Sequence, residues 1–587
     1  MFLLKRPAVC FCLLFLPVTA MAAEPLDWQS RFDDDVGLWY SGGPGHTRPV
    51  AKLDRVHSGP DASAKLLSAA RLGRLDELPA GKVLAALRNM QVTDGGSQHG
   101  CLRWYWEEPR PVDTNASFFT GLNLVVLRLG YADQFDDTQR KQLEPILADL
   151  HAWFSKVVAK RDYFYPNRYL GDLVCCWLLR ESLDRTDEDA AELVDAMLAA
   201  ADYWRDNGWG WGEHLSNSYT GVMLDEVSVL LMFGKRLPEN VRRRYEQLRD
   251  ELLRLEDRYD GGPRVPVLRG YYFTRSPSVG NYRRQVEDAG RHKGLGSGKL
   301  TAIRGVLADR GWHQTVPEQI DPARDLQVPC FDGAMATARI EGDLRLGSVS
   351  RFPVMPVAEH QTWGLAWQCF PVALWHASDG WGFLQWETAE GDRRRGHPAI
   401  SRAEAYLNNA LTSSVRPPIT GQTWCLQRGG DLLVLRVMPA VAQDWTELCD
   451  RFRLIGHRGT FEVLDRRDRW SQLLLTLGKR TISVHHVALA DDYYPEPVDA
   501  AEDRRDWQVR RDAQALSGRR VIVDLWAIRL DGSVDKPPVL TQIHPSPSIP
   551  RDAGERAWQL DWTWPETRWD VTIDPKATEP LKTSAAF

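Results

Sequence analysis

The chain has 587 residues, a net charge of −6 at neutral pH, 43% hydrophobic residues and 24 tryptophans. Its length exceeds one ordinary domain of about 100–200 residues. An acidic balance spread along the chain argues against nucleic acid as a partner, while leaving room for a local basic cleft that takes an acidic sugar.

Taken in chain order, Lys5 and Arg6 precede an apolar run from Ala8 to Leu16 and a small-residue site at Ala20-Met21-Ala22-Ala23. This predicts a signal peptide over residues 1–23 and a periplasmic or secreted protein. No later stretch approaches about 20 uninterrupted apolar residues, so no membrane insertion is expected.

From about Asp61 to Ala308 the apolar spacing is helical. Segments such as AGKVLAALRNM, LGDLVCCWLLRESL, TGVMLDEVSVLLMFGK and ENVRRRYEQLRDELLRLEDRY each read as one helix, joined by loops rich in Gly, Pro, Asp and Asn. Short connections favour antiparallel neighbours, hence a layered array of helical hairpins. After about Val328 short alternating runs such as MATARIEG, DLLVLRVMPAV and RRVIVDLWAIRL take over, which predicts stacked antiparallel sheets. The division is a helical catalytic domain over 24–312, a polar linker over 313–327 and an antiparallel β domain over 328–587.

The seven cysteines beyond the signal segment are scattered without C-x-x-C spacing, so neither a zinc framework nor a dense disulfide scaffold is expected. His485 and His486 are adjacent on a strand and point to opposite faces. His214 and Glu213 lack the H-E-x-x-H spacing. No metal and no cofactor are expected, and the oligomeric state is left open.

One stretch concentrates chemistry: WGWGEHLSNSY, from Trp209 to Tyr219. Trp209 and Trp211 suit sugar faces, and Glu213, His214 and Asn217 are hydrogen-bonding groups just ahead of an apolar helix. A second is RGYYFTRSPSVGNYRR, where Arg269, Arg275 and Tyr282 combine cations with a phenol. The loop around Arg103, Trp104, Trp106 and Asn115, and Asn167 at another helix start, fit the walls of a cleft. Glu359 and His360 fall in a predicted turn before a strand, within reach of that cleft.

The order of helices then sheets, together with the residues of WGWGEHLSNSY, resembles polysaccharide lyases with an (α/α) toroid, an incomplete helical barrel, followed by an antiparallel β-sandwich, such as alginate lyases and heparinase II/III-like uronate lyases. In place of their Asn-Asn-His-Ser-Tyr-Trp run the chain has His214-Leu-Ser-Asn217-Ser-Tyr219. The resemblance implies an anionic polysaccharide substrate cleaved by β-elimination. Donors and cations around a uronate carboxylate stabilise the charge that grows on it when the C5 proton leaves. Asn217, His214 and Arg275 suit that role, Tyr282 or Tyr219 that of base and acid, and His360 that of a second proton-transfer group. Arg103, Trp104, Trp106, Asn115, Asn167, Trp209, Trp211, Glu213 and Arg269 are expected to contact substrate.

Two other functions fit the sequence. A glycoside hydrolase needs paired carboxylates, for which Glu107, Asp113, Asp172, Glu213, Asp225 and Glu226 are candidates. A glycan-binding protein needs only the cleft.

Overall fold

The computed structural model describes residues 26–583 apart from 164, 186–189, 208–214, 217, 268–280, 297, 313–320, 322, 331–332, 353–369, 391–392, 397–420, 439–442, 444, 468, 490–492, 517–521, 533–537, 544–555 and 564–566. The expected signal segment lies outside this range. No helix among the described residues is long and apolar enough to cross a membrane.

Ten α-helices are described: α1 (Gly59–Arg71), α2 (Ala80–Met90), α3 (Asn115–Tyr131), α4 (Asp137–Val158), α5 (Pro166–Ser182), α6 (Ala191–Asp206), α7 (Tyr219–Phe233), α8 (Glu239–Arg258), α9 (Tyr282–Arg291) and α10 (Thr301–Asp309). Local signals start several of them. Ser58 caps α1 with its hydroxyl on the Asp61 amide, Asp136 and Gln139 form a capping box on α4, and Pro166 opens α5.

Burial separates two kinds of helix. In α3 every residue from Ala116 to Leu127 is buried, whereas α8 buries a stripe of Val241, Tyr245, Leu248, Leu252 and Leu255. The first pattern belongs to an inner helix wrapped on all sides, the second to an outer helix with one face in water. Contacts agree: α1, α3, α5, α7 and α10 pack side by side in a ring, and α2, α4, α6 and α8 follow one another outside it.

These helices form the expected (α/α) toroid, its inner ring joined through α10. α10 packs against both α7 and α1, and Arg71 at the end of α1 donates to the carbonyls of Gly290, Gly305 and His292 and to Asp309. The inner helices run in one direction: Gly130, Phe233 and Arg310, at the ends of α3, α7 and α10, meet at one rim, Arg71 at the end of α1 pairs there with Asp309, and Gly171 near the start of α5 lies against Phe118 near the start of α3. Their N-termini therefore form a common mouth at the other.

Among the described residues the β region stacks three antiparallel sheets of nine, seven and four strands. Strand Asp431–Met438 of the seven-stranded sheet shows how alternation builds the stack. Leu432 and Val434 point into a core shared with the nine-stranded sheet, while Leu433 and Leu435 point into a core shared with the four-stranded one. His485 and His486 obey the same rule: His485 packs on Trp562, and His486 bonds Asp524 and packs on Trp526.

The outer face of the nine-stranded sheet carries a third core, which joins the two halves. Leu215, Leu255, Tyr259, Val265 and Val267 from the helical side pack there with Val328, Ala336, Ile340, Phe370 and Phe383. A side chain at Gly347 would collide with the backbone of Val265 and Pro266, so the 259–267 segment lies directly on that sheet. The sheet's edge strand is Ala323–Pro329, so five residues expected in the linker already belong to the β domain.

Candidate functional site

Because the inner helices are parallel, the described residues that precede them arrive together at the mouth: 91–114 before α3, 159–163 and 165 before α5, 215–216 and 218 before α7, and 292–296 and 298–300 before α10. Arg103, Trp104 and Trp106 lie on the first of these loops, and Asn115, Asn167 and Tyr219 stand in the first turns of α3, α5 and α7. Trp209, Trp211, Glu213, His214 and Asn217 lie outside the described residues, as do Arg269, Arg275 and His360.

Their flanks are described, and they meet at one buried ion pair. Glu256, near the end of α8, accepts the backbone N–H of Tyr282 at 2.7 Å through Oε1 and a guanidinium N–H of Arg264 through Oε2. Arg264 also donates to the carbonyl of Ser216 at 3.5 Å. The Ser216 hydroxyl in turn accepts the amide of Tyr219 at 3.1 Å, starting α7. One carboxylate and one guanidinium, 4% and 3% exposed, thus link Tyr282, just beyond the 268–280 segment, to Ser216 of WGWGEHLSNSY. At Gly261, φ is +59° and a Cβ would overlap Asn281, a position that only glycine fills.

Tyr282 departs from its expected role. It is the first residue of α9, placed by an Asn281 cap, and its side chain is buried inside the ring. Its hydroxyl donates to Asp225 Oδ1 at 2.6 Å, and Arg304 holds the same carboxylate at 2.9–3.2 Å. Burial first, and the Asp225 charge second, push the phenol well above its ordinary pKa of 10. A base needs the reverse, so Tyr282 is better described as a strut between α9, α7 and α10. Tyr219 sits at the mouth as the first residue of α7, 8% exposed.

The loop before α3 also differs from expectation. Arg103 spends its guanidinium on the carbonyls of Asn89, Met90, Trp106 and Glu108. It is a staple for its own loop, which corrects its assignment as a uronate contact. Trp104 is 5% exposed, edge-on to His46 and Phe119 with the Lys299 ammonium 4.2 Å above its ring, so its faces are taken. Trp106 is partly exposed beneath Arg103. Asn115 opens α3 with its amide on Asp113, and Asn167 is buried in the first turn of α5. Core packing also absorbs Trp381, Trp386, Trp507, Trp526, Trp562 and Trp569, so tryptophan content by itself does not indicate sugar binding.

The carboxylates near the mouth are engaged as well. Glu107 bonds His57 Nδ1 at 2.6 Å and Asp113 bonds His46 Nε2 at 3.1 Å. Burial alone would raise both carboxyls, but these histidine contacts outweigh it and hold both low. A hydrolase needs one of its two carboxyls protonated, which this pair does not provide. Asp172, on α5, is the opposite case: burial pushes it up to about 7 against the pull of Arg168. Among the described residues no His, Cys, Asp and Glu group has the arrangement of a metal site.

No family model matches the sequence, and no curated protein matches it. Among solved structures, the crystal structure of heparinase III aligns over 80% of this chain and 77% of that chain, at 10% identity and a TM-score of 0.42.

Sequence reasoning missed Glu256, Arg264 and Arg304 as organisers of the site. Arg304 had a readable signal, a lone charge inside the apolar TAIRGVL; Glu256 did not, because α8 is charged along most of its length.

Proposed function

We propose that the protein is an exported polysaccharide lyase that cleaves a uronic-acid-containing polymer of the alginate or glucuronan kind by β-elimination. The observation that supports this is the buried Glu256–Arg264 pair, which ties the roots of the two chemistry-bearing segments to each other at the mouth of the ring. One segment supplies Asn217 and His214, and the other supplies Arg269 and Arg275.

In this mechanism Asn217, His214 and Arg275 donate to the uronate carboxylate and stabilise the enolate-like state. A tyrosine phenolate, favoured by the neighbouring cations, takes the C5 proton and becomes a phenol. The C–H electron pair becomes the C4–C5 double bond while the C4–O bond breaks, and the departing oxygen receives a proton from the same phenol or from His360. With Tyr282 committed to Asp225, its rival Tyr219 takes this task.

The test is a screen of purified protein against uronate polymers, following ultraviolet absorbance and reducing ends in parallel. Absorbance rising with reducing ends is expected; reducing ends alone identify a hydrolase, and binding without either identifies a glycan-binding protein. On a polymer that is cleaved, Asn217→Ala is expected to lower kcat about 10²–10³-fold, the scale of losing one oxyanion donor. A wild-type rate in that variant removes Asn217 from the site.

A further inference from the structure

Outside the mouth, a groove of about 220 Å³ runs between the two halves of the molecule, lined by Trp204, Arg205, Arg254 and Arg258 on the helical side and Gln327 and Pro329 on the β side. Its helical wall is made from the C-terminal parts of α6 and α8, and its other wall is the edge strand Ala323–Pro329. Asp206, paired with Arg205 at 2.9 Å, and Leu255, the neighbour of Glu256, also line it, so the groove lies beside the buried ion pair of the candidate site.

Its cations are unusual for this protein. Most arginines near the site are committed: Arg264 to Glu256, Arg304 to Asp225, Arg283 to Asp257 and Arg324 to Asp260. Arg254 and Arg258 are exposed, and neither guanidinium makes a hydrogen bond or ion pair with a described residue. They are four apart on α8, so they stand one turn apart on the same face. Glu251, half-buried three residues before Arg254, also lines the groove; burial raises its carboxyl while the charges of Arg254 and Arg205 pull it down.

The wall they stand on is fixed. Arg324 holds the carbonyl of Arg258 and the Asp260 carboxylate, anchoring the end of α8 to the edge strand. Leu255 and Val328 form a buried floor. A rigid trough with two free guanidiniums in line suits a linear polyanion, because each planar fork matches a carboxylate or sulfate group.

We infer that Arg254 and Arg258 form a secondary binding track for the anionic polysaccharide, gripping the chain beyond the bond that is cut. This rests on the lyase reading for its substrate, but the track is testable separately. Gln327 supplies an amide on the facing wall.

The test compares wild type with the double variant Arg254→Gln, Arg258→Gln and with Arg243→Gln, an exposed arginine near the start of the same helix. Affinity electrophoresis uses polymannuronate, heparan sulfate and neutral dextran at low and high salt. The double variant is expected to bind the two polyanions about tenfold more weakly with a flatter salt dependence, with dextran and the Arg243 variant unchanged. If a polymer is cleaved, KM for the long chain rises by the same factor, kcat holds, and a tetrasaccharide shows no difference. Equal affinity and salt dependence in wild type and double variant overturn the track. Arginine-dependent binding without unsaturated product from any uronate polymer keeps the track and rejects the lyase reading.

Discussion

Tyr282 contributes one hydrogen bond to a carboxylate that Arg304 already holds from the other side. Tyr282→Phe is therefore expected to lower stability by about 1 kcal/mol while turnover stays within a few-fold of wild type; denaturant melts and initial rates check both. Glu256→Gln is a harsher change, because it leaves Arg264 buried without its counter-charge. It is expected to cost about 3–5 kcal/mol and to impair turnover, since both chemistry-bearing segments hang from that pair. Asp172 makes stability depend on pH. With its folded pKa pushed up to about 7, above an unfolded value of about 3.9, the folded chain holds the proton more tightly. This group's contribution is thus most favourable below about pH 4 and declines as pH rises toward 7. Asp172→Asn is expected to abolish that decline and to raise stability above pH 7 by on the order of 2–4 kcal/mol, read as the difference between melting profiles across that range. The density of Asn, His, Tyr and Arg in two segments was legible from the sequence. What Arg103, Trp104 and Tyr282 touch was not, because a staple, a core ring and a strut have the same letters as a clamp, a platform and a base.

At the scale of the element, the ring closes through α10, and the closure rests heavily on Arg71. Its side chain is 4% exposed and reaches three carbonyls and Asp309. Arg71→Ala is expected to destabilise the protein by about 3 kcal/mol, with amide exchange accelerated first in α9 and α10; uniform exchange across the ring would argue against a local latch. The eight long helices were legible because each carries an apolar stripe or run over several turns. The last two, α9 and the ring-completing α10, were not: YRRQVEDAGR and TAIRGVLAD are short, and RHKGLGSGK between them is rich in glycine. Tertiary packing, with Asn123 of α3 donating to the Lys299 carbonyl at 2.9 Å, supplies what local propensity lacks.

At the scale of the whole molecule, the helical ring and the sheets share a core, so they are not independent parts. Residues 24–312 expressed alone would expose Leu215, Leu255, Val265 and Val267, all buried here. That fragment is expected to be less soluble and to melt well below the full chain, whereas the full chain should lose its helical and sheet signals together in calorimetry and circular dichroism. The one-way run of the five inner helices has a further electrostatic consequence. Each helix N-terminus carries roughly half a positive charge from its aligned peptide dipoles, and here five of them face one opening. At the centre of that opening a chain with a net charge of −6 gains positive backbone charge set by topology, offset toward the rim, where the outer helix α8 brings its C-terminal end beside the start of α7.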